Sequence, residues 1–129
     1  MRIDPIPFLV ARVKATPDLP ADVTVSGDLD MHTPGTRHID IVLDGGERIV
    51  RDRLDAWTFT INHHAPYKSQ AMESALMVRE YLLEVVPGKA FDGVGVNEVR
   101  EEQAPFDVGD IDSREQRIAH RLTVYLYEV

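Results

Sequence analysis

The amino-acid sequence predicts an α+β domain, a mostly antiparallel sheet of about four to five strands with one long and one short helix packed on one face. Three features predict it. From Ile49 to Ile61, charged, β-branched and aromatic residues follow a period of two, which is the pattern of a half-buried strand. From Pro66 the apolar period lengthens to about 3.6 and holds until Pro87-Gly88, as in a long helix that covers a sheet. Near the C-terminus Ile118, His120, Leu122, Val124 and Leu126 alternate with Ala119, Arg121, Thr123, Tyr125 and Tyr127, the clearest strand signal in the chain.

Taken in order, Asp4-Pro5 reads as an N-cap followed by a first-turn proline. Ile6, Leu9, Val10 and Val13 then recur at helical spacing to about Ala15, ahead of the breaker Pro17. Val23, Val25 and Leu29 suggest a brief strand, and Ser26 to Arg37, with Gly27, Pro34 and Gly35, reads mostly as a loop. Ile39, Ile41 and Leu43 alternate with His38, Asp40 and Val42. Asp44-Gly45-Gly46-Glu47 then predicts a tight turn into the long strand, so a hairpin is expected there. Along that strand Arg51, Arg53, Asp55, Trp57 and Phe59 fall on one face, with Val50, Leu54 and Ala56 on the other.

The helix is expected from Pro66 to Val86, its stripe formed by Met72, Ala75, Leu76, Leu82, Leu83, Val85 and Val86. Val94, Val96 and Val99 predict a further strand, and the acidic, turn-rich stretch Glu101 to Arg114 predicts a mobile connection.

A chain of 129 residues with 43% hydrophobic content is expected to form a single domain spanning residues 1–129, with one core. Its 22 acidic against 14 basic residues leave a net charge of −8, which argues against gripping nucleic-acid backbone with the whole surface. There is no cysteine, so disulfides, thiolate nucleophiles and thiolate metal sites are excluded. No segment reads as a signal peptide or approaches the roughly 20 apolar residues that cross a bilayer. A soluble, cytoplasmic protein is expected.

The candidate chemistry is sparse. Asp28, Asp30 and His32 point the same way if that segment is extended, with His38 and Asp40 nearby, and such groups suit a divalent ion. They match no established ligand spacing, so an acidic solvated loop is the plainer reading. His63-His64 is expected at the turn into the long helix, capping it or facing solvent. Asp107, Asp110 and Asp112 are acidic like a calcium loop but lack its glycine and closing glutamate. The serines, Ser26, Ser69, Ser74 and Ser113, stand outside any nucleophile elbow, and no phosphate-cradling glycine loop is present. Trp57, Phe59, Tyr125 and Tyr127 on neighbouring strands fit packing or a subunit interface better than a nucleic-acid platform in so acidic a chain. Arg51, Arg53 and Arg121, with Asp55, suit ion pairs within or between subunits.

Three segments together carry a resemblance: Arg51-Asp52-Arg53-Leu54-Asp55-Ala56-Trp57; the helix with Ala71, Ala75 and Val78-Arg79-Glu80-Tyr81-Leu82-Leu83; and Val96-Asn97-Glu98-Val99 with the closing Arg117 to Val124 strand. Over roughly residues 38–129 the pattern resembles the tail terminator (tail completion) proteins of long-tailed bacteriophages, particularly those infecting actinobacteria. The first helix is shorter than is usual there, and Pro17 to Thr36 has no clear counterpart. The resemblance implies a virion structural protein, not an enzyme and without a cofactor, assembled as a hexameric ring at the tail-head interface after assembly in the host cytoplasm. Its implied partners are further copies of itself, the tail tube protein and the head-tail connector protein, with DNA only as passing cargo and no membrane.

On this reading Arg51, Arg53, Asp55, Trp57 and Arg121 are candidate subunit-interface residues. Asp28, Asp30, His32, Asp107, Asp110 and Asp112 mark candidate partner-contact loops. Another head-tail connector or neck subunit is the nearest alternative, and a small metal-dependent enzyme using Asp28, Asp30 and His32 is the alternative of a different class.

Overall fold

The structure, a computed structural model, describes residues 1–27, 35–109 and 116–129. Helix α1 spans Pro5–Lys14, capped as expected by the Asp4 carboxylate, which accepts from the Ile6 N–H at 3.1 Å. Six strands follow around the second helix: β1 Thr24–Ser26, β2 His38–Val50, β3 Leu54–Ala65, β4 Ala90–Phe91, β5 Val94–Asp107 and β6 Gln116–Glu128. They form one sheet in the order β1-β2-β3-β6-β5-β4, against the four to five strands expected; the two-residue β4 is the strand without a counterpart in the sequence reading. Only β1 runs parallel to its neighbour β2.

Helix α2, Lys68–Glu80, continues through a π-helical turn at Tyr81–Val85, closed by the Val86 N–H bonding Tyr81 O at 3.1 Å. Both helices lie on one face of the sheet. Leu9 and Val13 of α1, and Val78, Leu82 and Val86 of the second helical segment, meet the inward rows Ile39/Ile41, Phe59/Ile61, Leu122/Val124/Leu126 and Val96/Val99 in one core. Ala65, Ala71, Ala75 and Ile118 form a second, smaller cluster. Its small side chains let α2 approach the sheet closely at that end. The expected alternation of β6 holds: each residue of the row Ile118 to Leu126 is buried.

Four expectations are corrected. The hairpin turns at Arg51-Asp52-Arg53, while β2 runs straight through Asp44–Glu47. Gly45 sits at a register shift and Gly46 lies opposite Trp57, where a Cβ would stand 2.6 Å from the indole. These glycines serve a bulge and a cross-strand aromatic, not a turn. Arg51 and Arg53 are therefore turn residues, and the face shared by Asp55, Trp57 and Phe59 begins only after them.

The second correction concerns Glu101 to Asp107, expected as a mobile connection. It continues β5 along β6, and Pro105 is tolerated because β4 pairs only with Val94 and Gly95, leaving this part of β5 at the sheet edge. Third, the stripe of α2 runs through Ala71, Ser74, Ala75 and Val78, leaving Leu76 and Val85 exposed. Fourth, His63 and His64 lie inside β3 and are buried.

Candidate functional site

The sheet presents two different faces, and the sequence-selected residues divide between them. Asp55 and Trp57 belong to the helix-covered face; Asp55 is buried and accepts from Arg48 Nε at 3.3 Å across the strand pair. Arg121 lies on the opposite face, where its Nε donates to Asp44 Oδ2 at 3.2 Å and Thr60 Oγ1 donates to the same oxygen at 2.5 Å. Arg51 and Arg53 stand exposed at the β2–β3 tip. The five residues thus do not form one patch. Nor do the aromatics: Trp57 and Phe59 face the helices, whereas Tyr125 and Tyr127 face away, because their β6 positions are out of phase with the inward row.

The helix-free face is polar at its centre. A depression of about 460 Å³ is lined there by Asp44, Thr58, Arg100, Glu102, Arg121 and Thr123, among others. Its hydroxyls are ordered in sequence: Thr123 Oγ1 donates to Glu102 Oε1 at 2.9 Å, and Thr58 Oγ1 donates to Thr123 at 2.9 Å. Such a surface offers paired charges and hydroxyls for contact.

Two buried polar sets bring together residue types that also serve in catalysis. On the helix side, Ser74 Oγ donates to Ala71 O at 3.1 Å and so accepts from His63 Nδ1–H at 2.9 Å. His63 Nε2 is then the acceptor for His120 Nε2–H at 2.9 Å. Burial is the main cause lowering both histidines; His63 falls well below its ordinary value, with the His120 and His64 charges adding to the effect, and His120 to about 4. The serine is thus held by its own helix and is itself buried, an arrangement that ties α2 to the sheet.

On the other face, His64 Nε2–H donates to Asp40 Oδ1 at 2.5 Å and Asn62 Nδ2 donates to Asp40 Oδ2 at 3.1 Å. Burial raises the Asp40 carboxyl, but these bonds and the neighbouring histidines outweigh it and hold the group below its usual range. His38 joins β1 to β2 through Thr24 Oγ1 at 2.5 Å and Ser26 Oγ at 2.9 Å. Among the described residues no three or more His, Asp or Glu are arranged to hold a metal ion. Asp28, Asp30, His32, Asp110 and Asp112 lie outside the described residues. Asp107 is described: Lys68 Nζ approaches its carboxylate at 2.6 Å and the Gly109 N–H at 3.0 Å. The lysine first, and then the N–H, hold its carboxyl below the usual range.

Two surfaces are more distinctive; the first includes Arg51 and Arg53, already candidates from the sequence, and the second was not singled out there. At the β2–β3 tip Ile49 and Val50 are 44% and 45% exposed beside Arg51 and Arg53, which have no carboxylate partner among the described residues. On the outer side of α2, Leu76 is 47% and Val85 39% exposed, bordered by exposed Glu80 and Glu84. The apolar excess of the α2 stripe was the available signal: it held more residues than one buried face needs.

No family model and no curated protein matches the chain. Among solved structures, a chain in the virion of a native gene transfer agent particle shares the fold, with a TM-score of 0.62 at 12% identity over 92% of this chain and 94% of that one. Identity at that level is a statement about architecture alone.

Proposed function

We propose that this chain is a structural protein of a phage-type virion that caps the tail tube as a ring, ends tube polymerisation and forms the joining surface to the head connector. The observation that carries the reading is the nearly end-to-end fold match with a chain of a gene transfer agent virion. The resemblance of residues 38–129 to tail terminators supports it from the sequence side. Among the described residues the two buried polar sets are closed by hydrogen bonds, as suits a protein that works by contact. On this reading the ring occupies the growing end of the tube and offers no surface for the next layer.

The fold match is to a virion component without a stated position in the particle, so a neck or connector subunit is the second reading. The two separate in cells that make the particle. Disrupting the gene of a terminator leaves headless tails of irregular, excessive length in electron micrographs; disrupting that of a connector leaves tails of normal length and unjoined heads. Intact, infectious particles after disruption would count against both.

A further inference from the structure

We propose that the β2–β3 tip of one copy docks onto the outer face of α2 in the next copy, a contact that deepens the ring reading by naming the two surfaces that meet. The tip carries an apolar pair, Ile49 and Val50, each nearly half exposed, and the two cations Arg51 and Arg53. In a chain of net charge −8 this is an unusual concentration of positive charge, because the nearby carboxylate Asp52 is already engaged by the N-terminal amine at 3.8 Å and by Arg48 at 3.9 Å.

The face of α2 has the opposite character. Two depressions flank Glu80. One, of about 320 Å³, is lined by Leu76, Leu83, Arg79 and Glu84, and the other, of about 330 Å³, by Met77, Val85, Pro17 and Asp18. Arg79 adds little free positive charge there, since its Nε and Nη2 are both committed to Glu101, at 2.5 and 2.9 Å. What remains is an apolar floor with an acidic rim. Its chemistry is met by an apolar tip carrying two cations that no described carboxylate pairs.

Both surfaces belong to the same chain but to different places on it. A contact between them is therefore heterologous: each copy offers its tip to one neighbour and its helix to the other, which generates a closed ring or an open array. The alternative occupant of either surface, a different virion protein, is excluded or retained by the same test.

The test uses the full chain and light scattering on a sizing column over a range of concentrations. Two doubly substituted chains reverse the charge on one surface each: Arg51→Glu with Arg53→Glu, and Glu80→Arg with Glu84→Arg. All four positions are exposed, and a circular dichroism melt checks that each chain folds. Each variant alone is expected to associate at least about tenfold more weakly than the unsubstituted chain. An equimolar mixture is expected to regain association, because every tip then finds a helix of opposite charge when the two variants alternate. Unchanged association of either variant, or a mixture no better than its components, overturns the contact while leaving the ring itself standing. An unsubstituted chain that stays monomeric at every concentration overturns the contact too, and the tail-length experiment then decides the ring reading separately.

Discussion

His63 and His120 face each other across neighbouring strands with their Nε2 atoms 2.9 Å apart, both effectively closed to solvent in the layer between α2 and the sheet. Two imidazoles at that distance require one N–H and one bare nitrogen between them. The hydroxyl of Ser74 decides which is which, because it donates to Ala71 O and can only receive from His63. The chain of bonds is complete when both rings are neutral. A proton added to His63 puts two N–H groups head to head.

This makes the fold acid-sensitive in a defined window. Burial sets both histidines below the ordinary 6.5, His120 at about 4, so the unfolded chain takes up protons first as pH falls. The contribution is therefore complete above pH 6.5 and declines through about 4, at a limiting slope of about 1.4 kcal/mol per pH unit for each ring. Urea midpoints between pH 7.5 and 4.5 should fall steeply for the natural chain and less steeply for His120→Gln. Equal slopes would show that the pair does not titrate as described.

Asp40 is the next group to act, at lower pH. Its carboxyl is held below 3.8, so its contribution stands above that value and is lost as pH falls further, below the histidine window. At neutral pH, Asp40→Ala leaves His64 and Asn62 without the carboxylate they share. Loss of these hydrogen bonds to a buried carboxylate is expected to cost about 2 to 3 kcal/mol, read from urea unfolding. A cost below about 1 kcal/mol would mean that the cluster repacks or hydrates freely.

Two glycines under aromatic rings should respond differently to the same change. A Cβ at Gly46 would meet backbone, Ala56 O at 2.4 Å, as well as the Trp57 ring. The three atoms nearest a Cβ at Gly95 are all outer ring atoms of Tyr127, at 2.2 to 2.6 Å, and that side chain is partly exposed and can swing aside. Gly46→Ala is expected to cost about 2 to 3 kcal/mol and Gly95→Ala about 1 kcal/mol or less, by thermal or urea unfolding. The reverse order would contradict the strand register assigned around Trp57.

Much of this architecture was legible wherever local pattern and tertiary environment agree. Asp4-Pro5 caps α1, and the β6 row from Ile118 to Leu126 points inward as its alternation says. It failed where a residue serves a distant partner. Gly45 and Gly46 look like a turn, but one absorbs a bulge and the other seats Trp57, while the real turn uses Asp52 at φ +56° without a glycine. Glu101 to Asp107 looks like a loop because acidic residues and a proline suit an open sheet edge as well as they suit a loop. Alternation could place His120 inside, but not diagonal to His63, since that juxtaposition needs the β3–β6 register, which pairs His63 with Ile118 and His120 with Ile61. Leu76 and Val85 extended the apolar stripe of α2 without being needed for its core, and the excess became visible as surface only once Ala71, Ser74 and Val78 were seen to face the sheet.

The proposed capping role is tested most directly in a purified system. Tail tube protein is set polymerising, this chain is added in excess, and tube length is followed by electron microscopy over time. Growth is expected to stop soon after addition, with a ring of this protein on the end of each arrested tube. Tubes that go on lengthening at the unperturbed rate, with no added density at either end, would contradict it.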